Sequence, residues 1–534
     1  LADPAKPAMA CGMTIHDTLL EPGRNCWRIE DAERATVIVD ADDYFKAARA
    51  AMMKAKTQIL LVGWDFDARI RFGGDVDDGG PERVGAFISW LAKRTPGLNI
   101  HILRWDTGAI KTLFHGQTLL RIARWIKDPQ VHLRLDGHHP PAGSHHQKVV
   151  VIDDDVAFCG GIDMTVDRWD TRDHADDEPR RIEPDGTVYG PWHDATTMLQ
   201  GPVARALGDM CRGRWEVSGG GALESVSGGA DCWPEHVTAD FTDVEVGIAL
   251  TIPEMAEQEP RHDIEALYVD LIARTKRFFY AESQYFASRK VAEAIGKRLR
   301  EPDGPEFVIV HPTTAEGWLE PIAMDSARAR LVEALHEQDP HKRLRLYHPF
   351  TAGGQPIYVH AKVTVVDDEV LRVGSSNFNN RSLRLDSECD VVIDAGRTRN
   401  AGERDTIASI RNDLLAEHLD SDPDTIATMI AETGSIIETI ERLRGYGRSL
   451  RPYEVPELDS VREWLADNKI LDPEGPGEMF EGLAGRKPLL KNLRPHLHRA
   501  DGTVSPVMAA VAVGGTAAGI ALVGTMLWSR LNRK

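Results

Sequence analysis

The chain has no C-x-x-C pair, no basic excess, and no His/Asp cluster at metal-ligand spacing. Its six cysteines (Cys11, Cys26, Cys159, Cys211, Cys232 and Cys389) are scattered over 534 residues. That pattern reads as reduced, buried thiols and excludes both a disulfide framework and a cysteine-built zinc site. Positive charge is short: 63 Lys plus Arg against 83 Asp plus Glu leave a formal charge of −20. Such a surface repels polyanions, which argues against sequence-independent nucleic-acid binding, although a local basic pocket would override it. Leu1 to Met13 lacks the basic start and apolar stretch of a secretory signal. What is present is ample apolar content, 42% of the residues, and a length of roughly three to four ordinary domains.

Charge is also absent between Asp501 and Arg530. Within that stretch, residues 506–528 would span about 35 Å as a helix, enough for a hydrocarbon core. Gly515 and Gly519 give a spacing that permits close helix pairing. Arg486, Lys487, Lys491, Arg494 and Arg499 precede the segment; Arg530, Arg533 and Lys534 follow it. The heavier basic flank on the amino side predicts a single-pass C-terminal membrane anchor with a cytoplasmic body; the alternative is a buried helix of a soluble domain.

Hydrophobic periodicity gives one order of elements twice. In the first half, helices over 42–57, 84–94 and 117–126 alternate with strands over 58–66, 99–105 and 131–136. In the second, helices over 264–275, 291–299 and 325–336 alternate with strands over 277–283, 306–311 and 343–347. Alternation of this kind predicts an α/β fold with parallel or mixed sheets. The units run over 35–218 and 232–450, joined by a Gly/Ser-rich stretch (219–231), with a juxtamembrane segment over 451–505.

Each half ends in the same pattern, H-x-K-x4-D-x6-G-[GS]-x-[DN]. The first copy carries His146, Lys148, Asp153, Gly161 and Asp163; the second carries His360, Lys362, Asp367, Ser375 and Asn377. A single H-x-K-x4-D arises by chance at roughly one start position in ten thousand, so two copies with matched flanks are not accidental. The β-branched residues after each lysine predict a buried strand ending at an Asp-Asp turn. Residues i and i+2 share a strand face, so each half offers an imidazole beside an ammonium. Asp153 and Asp367 fall at the strand ends, as supports for the turn.

Two lysines suit an anionic phosphoryl group. Two histidines suit a two-step displacement: one attacks phosphorus, the other protonates the departing oxygen and then activates the acceptor. The lysines already supply positive charge, so no metal or other cofactor is expected. Asp194 and Glu388 are the candidate carboxylates to fix the histidine tautomers.

At these residues the chain resembles the phospholipase D superfamily, named for its paired H-x-K-x4-D motifs. His145 to Asp170 resembles the first motif of phospholipase D proper; YAESQYF (280–286) and GSSNFNNRSLRLDSE (374–388) resemble the approach to, and the tail of, the second. The resemblance implies two pseudo-twofold-related α/β/α sandwich lobes with one site between them. It implies hydrolysis of glycerophospholipids such as phosphatidylcholine to phosphatidic acid, with water or a primary alcohol as acceptor. His146 would be the nucleophile and His360 the general acid, although pseudo-symmetry leaves either chemically competent. Lys148 and Lys362 would hold phosphate, Gly161, Ser375 and Asn377 would line its pocket, and Asp194 and Glu388 would orient the histidines. Asp163 departs from the Asn377 of the other half. The stretch from Arg451 resembles the juxtamembrane part of bacterial phospholipase D-like membrane proteins. Alternatives are a phosphatidyltransferase of the cardiolipin-synthase kind, a nuclease, and a non-catalytic membrane scaffold.

Overall fold

A computed structural model describes residues 19–73, 78–106, 125, 128–140, 143–226, 231–255, 258–315, 320–445 and 447–456. The expected helix over 117–126 (Trp125 apart), most of the 451–505 segment and the anchor over 506–528 lie outside the described residues. Among those described, no helix is long and apolar enough to cross a membrane.

The duplication governs the architecture. Both halves contribute to one 16-stranded mixed sheet, whose centre is an antiparallel pair, Arg28–Val39 against Phe241–Ile252. Outward from Arg28–Val39 come Ala195–Gln200, Val156–Gly160, Val149–Ile152, Gln58–Gly63, Asn99–Trp105 and Val131–Asp136. Outward from Phe241–Ile252 come Glu388–Asp394, Val370–Gly374, Val363–Val366, Phe278–Glu282, Glu306–Val310 and Leu344–Phe350, the same order in mirror sequence. Where two separate sheets are expected, the lobes are fused edge to edge, because each half leaves one 12-residue edge strand whose free backbone groups pair with the other's. Ser449–Pro452 adds one more antiparallel strand on the outer edge of the second half.

Helices cover both faces. On one face, Pro202–Trp215 and Arg404–His418 pack into a core that runs through both halves. On the other, Ala41–Lys54 and Val84–Arg94 cover the first half, while Asp263–Arg274, Arg289–Leu299 and Glu320–His336 cover the second. Predicted boundaries shift by a few residues where an apolar run outlasts its hydrogen-bond ladder. Gln58–Gly63, for example, stops three residues short of Phe66. The described cysteines are all free and buried.

The Asp-Asp turns form as their sequence predicts. Asp153 and Asp154 have φ of 52° and 53°, and Asp367 and Asp368 have 53° and 56°. These left-handed pairs, closed by Asp155 N–H to Ile152 O and Glu369 N–H to Val366 O, are the primed turns that match strand twist. Asp153 accepts from the backbone N–H groups of Lys56, Thr57 and Gln58, and Asp367 from those of Lys276, Arg277 and Phe278. Each motif aspartate thus pins its hairpin to the start of the neighbouring strand.

Candidate active site

The two motif histidines meet at the junction of the halves, with ring centroids 6.5 Å apart. The approaches to their strands are cross-paired. His146 N–H donates to Ser387 O, next to Glu388, and Tyr358–Val359 runs parallel to Trp192–His193, next to Asp194. Each imidazole therefore takes its carboxylate from the opposite half. His146 Nδ1 lies 3.0 Å from both oxygens of Glu388, and His360 Nδ1 lies 2.7 Å from Asp194 Oδ2. With Nδ1 engaged on each ring, Nε2 is the nitrogen left for chemistry.

Electrostatics follow from burial. Desolvation, reinforced by Lys148 and Lys362, holds the His146 imidazole well below its ordinary pKa; desolvation, Lys362 and Arg168 do the same for His360. Burial pushes the carboxyl of Asp194 up to about 6 and that of Glu388 up to about 8. Burial also pushes Lys362 down to about 7. Near neutrality both imidazoles are therefore uncharged.

The lysines sit in unlike surroundings. Lys148 Nζ lies 3.0 Å from Asp163 Oδ2 and donates to the His146 carbonyl. Lys362 Nζ donates to the His360 carbonyl and faces the neutral amide of Gln284 at 3.4 Å, which Asn377 also contacts. The Asp-for-Asn departure therefore places an ion pair in one half only.

Two of the residues expected to line a phosphate pocket are placed differently. Ser375 is fully buried, and its hydroxyl donates to Glu388 Oε2 at 2.5 Å. It braces the carboxylate, because the longer Glu388 side chain folds back within reach. Gly161, its counterpart, abuts the other carboxylate: a Cβ there would stand 2.1 Å from Asp194 Oδ1. Asn377 lies in the Ser283–Gln284 network, within 3.4 Å of both side chains.

Sequence reading missed several contributors. Arg168 stacks its guanidinium 4.2 Å from the Trp192 ring centroid, and Trp192 in turn lies 5.3 Å from His360 and 4.6 Å from Tyr358. Trp64 meets His146 edge-on at 6.4 Å. Arg168 falls within the His145–Asp170 stretch, but nothing in its spacing reveals that its charge reaches His360 of the other half.

Comparison with known proteins finds relatives for both halves of the chain. Residues 51–240 match the family model described as phospholipase D, and residues 268–404 match the one described as cardiolipin synthase, PLD-like domain. The chain is 24% identical to phospholipase D alpha 1 of Carica papaya, over 77% of this chain and 67% of that protein. It is 25% identical to phospholipase D A of Dictyostelium discoideum, over 71% and 35% respectively. The chain thus spans from about a third to two thirds of these relatives' length. Among solved structures, phosphatidylserine synthase of Haemophilus influenzae Rd KW20 aligns over 70% of this chain and 86% of its own, at 14% identity and a TM-score of 0.46.

Proposed function

The chain belongs to the phospholipase D superfamily, and from that premise we propose that it is a phosphodiesterase acting on glycerophospholipids such as phosphatidylcholine. The observation that carries this reading is the pair of imidazoles 6.5 Å apart, each backed by a carboxylate from the other half. In this reading His146 Nε2 attacks phosphorus, the bond from phosphorus to the head-group oxygen breaks, and His360 gives that oxygen a proton. The covalent phosphohistidine is then opened by water, whose proton returns to His360 as the P–N bond breaks. A primary alcohol in place of water gives the transphosphatidylation product. Lys148, Lys362 and Arg168 neutralise the phosphoryl oxygens. Asp194 and Glu388 hold the imidazoles in register and stabilise the cation that forms on each ring. Burial leaves His146 as the free base a nucleophile requires, and the phosphate's negative charge restores the proton to His360 when substrate binds.

A second reading, phosphatidyl transfer of the cardiolipin-synthase kind, is favoured by the family model that matches the second half. Its chemistry is identical, with another lipid's hydroxyl as acceptor. Incubation with labelled phosphatidylcholine or phosphatidylglycerol, with and without ethanol, separates the two. Phosphatidic acid and phosphatidylethanol support the hydrolase, cardiolipin supports the transferase, and no product overturns both. The uncharged run over 506–528 completes the proposal as a membrane anchor. Deletion of residues 505–534 is expected to release active protein from the membrane pellet, and retention in the pellet would overturn the anchor.

A further inference from the structure

Behind the site lies a second cluster that the mechanism does not use. Asp40, His174, His193 and Glu417 are all buried, and each directs one nitrogen or oxygen to a common point, all within 4.8 Å of one another. His174 Nε2 lies 3.1 Å from Glu417 Oε1 and 3.5 Å from Asp40 Oδ2. His193 Nδ1 lies 2.7 Å from Glu417 Oε1 and 3.3 Å from Asp40 Oδ1. Asp40 Oδ2 and His193 Nδ1 are completely buried, and their contacts here are ion-pair approaches without good hydrogen-bond geometry.

The outer contacts decide which nitrogens face inward. His174 Nδ1 is held by Asp170 Oδ2 at 2.9 Å and His193 Nε2 by Glu282 Oε2 at 2.8 Å. Carboxylates hold those outer nitrogens, which leaves His174 Nε2 and His193 Nδ1 as the ring nitrogens that face Asp40 and Glu417. Two buried carboxylates at this point need positive charge in a water-free interior, supplied either by a second proton on each ring or by one cation at the centre that displaces those protons. Tetrahedral bonds of about 2.1 Å put ligand atoms about 3.4 Å apart; the four contacts above run from 2.7 to 3.5 Å, with Asp40 turning a different oxygen to each histidine. Glu282 is further fixed by Tyr280 at 2.6 Å and His418 at 3.0 Å, and Glu417 Oε2 by Arg172 at 2.6 Å.

We propose that Asp40, His174, His193 and Glu417 form a binding site for a divalent transition metal, with zinc best suited to two imidazoles and two carboxylates. Two neutral imidazoles and two carboxylates balance a dication without further charge. The role is positional. Asp40 occupies the position before the helix Ala41–Lys54 yet does not cap it. Its Oδ1 accepts from the Asp194 N–H at 3.0 Å, and its own N–H donates to Asp194 O at 2.7 Å. The metal would thus fix the backbone of the carboxylate that orients His360, and would tie the first half, through Asp40, His174 and His193, to the helix Arg404–His418 of the second.

The test is elemental analysis of the full chain, purified without a histidine tag, followed by X-ray absorption at the metal edge. The expected result is about one zinc per chain with imidazole and oxygen scattering. Removal with dipicolinate should lower Tm, and zinc chloride should restore it. The variant H174Q/E417Q should bind less than a tenth of the metal. Absence of metal before and after incubation with zinc, manganese or ferrous salts, with unchanged Tm, overturns the proposal. So does full metal content in the double variant. If that variant does not fold, a wild-type absorption spectrum lacking imidazole scattering overturns it equally. None of these readouts depends on lipid turnover, so a wrong substrate assignment leaves the test intact.

Discussion

The two halves share a strand order residue for residue around the motifs, yet their histidines are held by different means. In one, Glu388 reaches His146 with both oxygens and is braced by the Ser375 hydroxyl. In the other, the shorter Asp194 reaches His360 with one oxygen and packs directly on Gly161. One lysine is ion-paired to Asp163; the other faces the Gln284 amide and is held near pKa 7 by burial. The backbone kept its symmetry while the side chains diverged, as expected if one histidine must begin as a base and the other finish as an acid.

The most severe way to break the comparison is to remove either imidazole. His146→Ala and His360→Ala should each lower turnover at least about a thousandfold. With phosphorus-labelled lipid and an alkaline denaturing quench, which spares the acid-labile P–N bond, only the chain retaining its nucleophile will hold label. Label held by His146→Ala instead would reverse the two roles.

Gly161→Ala should come next. The added methyl must displace Asp194, and a misplaced His360 costs about 10- to 100-fold in kcat with a smaller change in KM. Ser375→Ala, the counterpart, loses the hydrogen bond to Glu388 and the one accepted from the Cys389 N–H, and should cost about 5- to 10-fold. Equal effects would show that the two braces are interchangeable.

The lysines sharpen the comparison through pH. A lysine whose folded pKa lies near 7 is charged below that value and neutral above it. Competitive inhibition by vanadate should therefore weaken as pH rises through 7, by up to about tenfold per unit. Asn377→Asp copies the Asp163 arrangement into the second half and should move that limb to higher pH. An unmoved limb would assign it to another group.

The smallest effect concerns stability. Glu388 has its folded pKa raised to about 8, so between its unfolded value and 8 the folded chain binds more protons, and stability falls as pH rises through that window. Glu388→Gln removes this penalty. Its Tm should exceed wild type by a few degrees at pH 8 and by less at pH 5, measured by calorimetry.

Much of this was legible in the letters. The paired motifs, the β-branched strands Val149–Ile152 and Val363–Val366 and the Asp-Asp turns could be read because each rests on local spacing; Asp194 and Glu388 rest on the family resemblance instead, since they meet their histidines across 166 and 242 residues. Fusion of the sheets could not be, since edge pairing of Arg28–Val39 with Phe241–Ile252 is a contact between residues over 200 apart. Nor could the brace at Ser375, whose role depends on how Glu388 folds back, or the cluster of Asp40, His174, His193 and Glu417, whose members share no period. Local rules see one element at a time, and these features arise only when elements meet.

The exchange of carboxylates between halves has a genealogical consequence. A solitary half would own a histidine without its acid and an unsatisfied twelve-residue border strand. Both deficits vanish when two copies join about a dyad. A half this size would need a second copy to complete its site, and carrying both in one chain lets each diverge without losing its mate.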